Sequence, residues 1–121
     1  MDLTFFDKHT HTLVKDGRKY IWNVKRLWEL SNNLLIFDYS IKSAKIFNED
    51  IWFCGHVEPT IRNLLDHYDR INSANLSYPI IISDEDFIMD GVHRLLKAHL
   101  KGDEFVKAVK FFKNPPPDLI I

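Results

Sequence analysis

Ile80 to Gly102, IIISDEDFIMDGVHRLLKAHLKG, is the stretch whose reading decides the fold. Ile80-Ile81-Ile82 is a β-branched run, Asp84-Glu85-Asp86 a polar break, and Phe87-Ile88-Met89 resumes apolar character, so the first half reads as strand, turn, strand. Val92, Leu95, Leu96, His99 and Leu100 then recur at i, i+3, i+4, i+7 and i+8, the stripe of an amphipathic helix. Gly102 sits where a left-handed residue ends such a helix. Past a polar Asp103-Glu104 turn, Phe105 to Phe111 predicts a further strand.

The junction Asp90-Gly91-Val92-His93-Arg94 is the part that asks for a functional reading. A strand that turns through glycine into a helix leaves unpaired N–H groups at the helix start, and the helix dipole makes that end attractive to anions. His93 and Arg94 fall in the first turn, off the apolar stripe, where both can lean over one anion. An arginine there opposes the dipole by about 0.3–1 kcal/mol, which a bound phosphate or carboxylate would rationalise. The plainer alternative is that Asp90 caps the helix and the two cations are solvated.

Upstream, Thr10–Val14 and Arg18–Trp22 flank Lys15-Asp16-Gly17, a hairpin signal. His9 and His11 share one strand face at a spacing able to hold a metal, but no third ligand is identifiable nearby, so exposed strand histidines are expected. Asn23 can cap a helix with Val24, Leu27, Trp28 and Ser31 on one face, stopped by Asn32-Asn33. Leu34 to Ile46 reads as a short strand followed by loop. Pro59 and Thr60 open a helix reaching about Ser73, with Ile61, Leu64, Leu65, Tyr68 and Ile71 as its expected buried face. His67 and Arg70 stand at i, i+3 on that helix, directed either at the anion site or along a solvated edge. Cys54, between Phe53 and Gly55, reads as a small core residue rather than a nucleophile. Downstream, Asn114-Pro115-Pro116-Pro117-Asp118 breaks regular structure, giving a single domain over 1–113 and a proline-rich tail over 114–121 whose Leu119-Ile120-Ile121 end can dock on the body or on a partner.

With 121 residues the chain is long enough to bury a core without metal or disulfides. A net charge of −1 gives no global pull toward nucleic acid, which makes DNA an unlikely partner, and no apolar run has membrane-spanning length. One cysteine and no signal-peptide layout suit the cytoplasm. The fold class expected is α+β, a small mixed sheet with two or three packed helices.

Asp90-Gly91-Val92-His93-Arg94, preceded by a hairpin and followed by Leu95-Leu96-Lys97-Ala98, resembles the ParB/sulfiredoxin superfamily over about 30 residues, Tyr78 to Phe111. The whole chain is similar to small single-domain ParB-like proteins, which share the segments His67-Tyr68-Asp69-Arg70-Ile71 and Ala74-Asn75-Leu76-Ser77-Tyr78-Pro79. The resemblance implies that the turn binds nucleotide phosphates through Gly91, His93 and Arg94, with His67 and Arg70 alongside. A sulfiredoxin would carry cysteine where Val92 stands, so that activity is rejected. A partitioning ParB would add a helix-turn-helix domain. Free-serine-kinase-like relatives pair an upstream Glu with the turn, which makes Glu58 and Asp90 the candidate catalytic carboxylates, His56 a candidate partner of Glu58, and a nucleotide di- or triphosphate with Mg2+ the implied cofactor. Glu58 has a simpler reading as a charge favouring the nearby helix N-terminus. Two functions follow: a nucleotide-dependent kinase or NTPase, or a non-catalytic anion or nucleotide sensor acting through a protein partner. A nucleic-acid-processing factor is the weaker third.

Overall fold

The computed structural model describes residues 9–53 and 57–121. Cys54, Gly55 and His56 lie outside the described residues, as does the segment before His9, so the expectations placed on them are not taken further. The element order is β1 (Thr10–Lys15), β2 (Arg18–Asn23), α1 (Val24–Ser31), β3 (Phe37–Ser40), two short 3-10 turns (Ile41–Ser43 and Lys45–Asn48), α2 (Ile61–Ser73), β4 (Ile80–Ile82), β5 (Ile88–Asp90), α3 (Val92–Leu100), β6 (Phe105–Lys110) and β7 (Leu119–Ile120). The class is α+β, with three α-helices and two small sheets among the described residues.

The central sheet has the order β3-β6-β4-β5, mixed because β4 and β6 are parallel while the outer pairs are antiparallel. All three isoleucines of β4 are buried, which a strand requires when both faces of its sheet are covered. Ile80 and Ile82 point into a core with Leu95 and Ala98 of α3, Val106, Ala108 and Ile41. Ile81 points the other way, into a second core with Trp22, Val24, Leu27, Met89, Val109 and Phe111. The period-2 alternation of one short strand therefore holds the two halves of the molecule together.

The second sheet, β1-β2-β7, begins with the expected hairpin, whose Asp16 and Gly17 both take positive φ. Its third strand comes from the tail. Leu119 and Ile120 pair with Ile21 and Tyr20, and Trp22 Nε1 donates to the Pro115 carbonyl at 2.8 Å. The Asp118 carboxylate accepts from the Asn23 N–H at 2.7 Å and from Arg26 at 2.9 Å. The tail thus docks on the body.

Three further expectations need correction. Asp90 does not cap α3: Gly91 is the N-cap residue, in the left-handed region at φ 104, with no side-chain cap. His11 is not an exposed strand histidine, since it packs against the Trp22 ring at 5.7 Å and burial lowers its pKa to about 4 against the opposing pull of Asp90. The face of α2 expected to be buried is open: Ile61, Leu64, Leu65 and Tyr68 are 77%, 56%, 53% and 53% exposed, and of that stripe Ile71 alone is buried. The helix instead leans on α3 along the flank carrying His67 and Ile71, and Lys97 of α3 donates to the carbonyls of Asn72 and Ala74 at its C-terminal end.

Candidate functional site

Gly91 is glycine for a steric reason. A Cβ there would lie 2.7 Å from Ile80 Cγ2 and 2.9 Å from Ile80 Cβ, at a φ that side chains rarely adopt. This close approach swings the chain from β5 into α3 directly over β4. The first intrahelical bond is Leu95 N–H to the Gly91 carbonyl, so the N–H groups of Val92, His93 and Arg94 form the open end of the helix.

Two side chains of the junction face inward. The Asp90 carboxylate, nearly buried, accepts from Trp28 Nε1 at 2.7 Å and from Arg94 Nη2 at 3.2 Å. Arg94 Nη1 donates to the Pro79 carbonyl at 2.7 Å. Asp90 and Arg94 therefore join the start of α3 to α1 and to the lead-in of β4. The structure assigns Arg94 a bracing role, with its guanidinium turned toward protein acceptors rather than over the helix end.

His93 takes the opposite direction. Its Nε2 lies 2.9 Å from Nδ1 of His67 on α2, a hydrogen bond that joins the two helices. The Trp52 ring stacks on His67 with centroids 3.8 Å apart and a 9° interplanar angle, and lies 5.3 Å from His93 at 12°. Phe53 meets His67 edge-on at 6.0 Å. A hydrogen bond between two imidazoles needs one N–H and one lone pair, so this pair cannot be doubly protonated in this geometry. The electrostatics agree. Burial first, then proximity to His67 and Arg70 and, least, to His9, lower the His93 pKa to about 4, with Asp90 pulling the other way. Burial first, and Arg70 second, also lower His67, opposed by Asp66. At neutral pH both rings are neutral, in a place where burial penalises an added charge of either sign and Arg70 adds positive potential.

Of the sequence-predicted residues, Asp90, Gly91, His93, Arg94 and His67 come together, and Arg70 is close enough to depress both imidazoles. Glu58 is not joined to them: its carbonyl accepts from Thr60 N–H and Asn63 Nδ2 at the start of α2, and its side chain is exposed. Trp52 and Trp28 escaped sequence reasoning as site residues. The only available signal for Trp52 was a large aromatic in the polar context Asn48-Glu49-Asp50 with no periodic partners. Two open cavities flank Trp52, one of about 310 Å3 against α2 and one of about 360 Å3 against Val92 and Leu96 of α3. Among the described residues no group of three or more His, Cys, Asp or Glu is arranged to hold a metal ion, and no helix is long and apolar enough to cross a membrane. Comparison with protein-family models, with curated proteins and with solved structures finds no match to this chain in any of the three.

Proposed function

We propose that the chain is a small ParB-like domain, working in the cytoplasm, that binds a phosphate-bearing small molecule of the nucleotide class at the open end of α3. The observation that carries this reading is the hydrogen bond of His67 to His93 in the first turn of α3, with Arg70 near enough to lower the pKa of both imidazoles. Both imidazoles are held neutral there partly by neighbouring positive charge. An anion would relieve that repulsion, accept from the helix end and draw a proton onto the imidazole pair. Trp52 offers a planar surface next to the charge, suited to the aromatic part of such a ligand. Mg2+, where needed, would arrive on the phosphates.

Sensing fits this arrangement better than phosphoryl transfer, because Asp90 already accepts from Trp28 and Arg94, and Glu58 stands apart from the imidazoles. The test is calorimetric titration with inorganic phosphate, ATP, ADP, CTP and GTP, with and without Mg2+, in wild type, Arg70→Ala and His93→Gln. The expected result is saturable binding weakened at least about tenfold (1.4 kcal/mol) in each variant, with proton uptake on binding near pH 6. No binding of any of these at millimolar concentration, or binding indifferent to both variants, overturns the reading. Mg2+-dependent turnover in the same solutions would restore the kinase or NTPase alternative.

A further inference from the structure

The exposed stripe of α2 is the largest departure of the molecule from what its own pattern demands. A helix facing only solvent on that side would gain nothing from Ile61, Leu64, Leu65 and Tyr68 at helical spacing, yet these four stand 53–77% exposed. Leu64, Leu65 and Tyr68 border the cavity of about 310 Å3 beneath Trp52, so the surface there is a ridge next to a cup rather than a flat wall.

The charges around the stripe indicate what covers it. Arg62 and Asp69 are seven residues apart, nearly two full turns, and so lie on the same flank of the stripe, one toward each end of the helix. Among the described residues neither makes an ion pair within the chain. In an antiparallel pair of identical helices the same flank faces the same flank, so Arg62 comes level with Asp69 of the second copy, and Asp69 with its Arg62. A parallel pair brings opposite flanks together, and the flank across the stripe offers His67 and Ile71 instead. Both ion pairs form at once only in the two-fold antiparallel arrangement. We propose that α2 is a self-association face, on which a second copy of this chain docks its own α2 antiparallel, Leu65 and Tyr68 packing across the axis and Arg62 pairing with Asp69 of the other copy. The proposal is independent of any ligand at His67 and His93.

The apolar stripe offers on the order of 400 Å2, about half of the ~800 Å2 that each partner contributes to a standard stable complex. The dimer is therefore weak and reversible, with a Kd on the order of 10–100 µM. Sedimentation velocity from about 5 to 500 µM, spanning that range, should show the wild-type mass rising from monomer toward dimer. Leu65→Glu should abolish the rise. Arg62→Asp and Asp69→Arg, each alone, set like charges opposite one another at both ends and should weaken association at least about tenfold. An equimolar mixture of Arg62→Asp with Asp69→Arg chains matches charges at both ends again, and should associate about as tightly as wild type. Far-ultraviolet circular dichroism of the variants checks that these surface changes leave the fold intact. A wild type that stays at its 14.3 kDa monomer mass throughout, or a mixture no tighter than its components, overturns the proposal.

Discussion

His11 should make the protein acid-sensitive by an amount that can be worked from its surroundings. Its imidazole packs on Trp22 and titrates at about 4, chiefly because burial penalises the charged form, while Asp90 pulls it weakly the other way. In the unfolded chain it titrates near its ordinary value of about 6.5. The folded pKa lies below the unfolded one, so between pH 6.5 and 4 the unfolded chain holds more protons. Stability from this group is therefore full above pH 6.5 and is lost as the pH falls toward 4. At pH 4.5 the loss relative to pH 7.5 comes to about 2.5 kcal/mol. Urea unfolding of wild type and His11→Gln at the two pH values isolates the term, since carboxylates and other histidines titrate in both proteins. The drop in wild-type stability should exceed that of the variant by about 2.5 kcal/mol, whatever the variant's offset at pH 7.5. Equal drops in the two proteins would refute the assignment of a buried neutral imidazole to this strand.

The α3 junction and the tail give three more expectations. Gly91→Ala must relieve a 2.7 Å contact with Ile80 at positive φ and should cost about 2–4 kcal/mol, read as a lower urea midpoint at unchanged m-value. Arg94→Ala strips one partner from a nearly buried carboxylate and the donor from the Pro79 carbonyl; a loss of about 2–4 kcal/mol is expected by thermal unfolding, and Arg94→Lys should recover less than half because it lacks the two-pronged geometry. A loss below about 0.5 kcal/mol would show the brace to be idle. Asp118→Ala removes the acceptor for Asn23 N–H and Arg26, so the tail should become cleavable around residues 112–118 and Trp22 fluorescence should shift red at a stability loss of about 1–3 kcal/mol. Protection from protease equal to wild type would sink that reading.

The parts of the fold legible in the sequence are those encoded by neighbours. The Asp16-Gly17 hairpin, the Asn23-capped helix and the run from β4 through α3 to β6 each carry period and turn signals within a few residues, and they fold as read except at the start of α3, where Gly91 and not Asp90 takes the cap position. What escaped was set at a distance. Nothing local says that Leu119-Ile120 adds a strand beside β2, because that pairing depends on Trp22, Asn23 and Arg26 receiving the tail. The amphipathic period of α2 correctly marks a helix, but period alone cannot say whether an apolar stripe meets the chain's own core. At the candidate site, the turn was visible in Asp90-Gly91-Val92-His93-Arg94, whereas the division of labour within it was not. Arg94 and Asp90 turn inward as a brace and His93 turns outward to His67 because Pro79, Trp28 and Trp52 stand where they do.

The closure of β2 by β7 also bears on how the chain finds its structure. Asn23 and Asp118 are 95 residues apart in sequence, so the loop that their bond closes encompasses most of the chain. Loop-closure entropy makes such a contact late and dependent on everything between, whereas β4, β5, α3 and β6 meet over short separations. A nucleus containing the candidate site would assemble first, and the two ends would knit together afterwards. Amide exchange should then grade the molecule, with β4 and β6 opening only on global unfolding and β7 opening far more often.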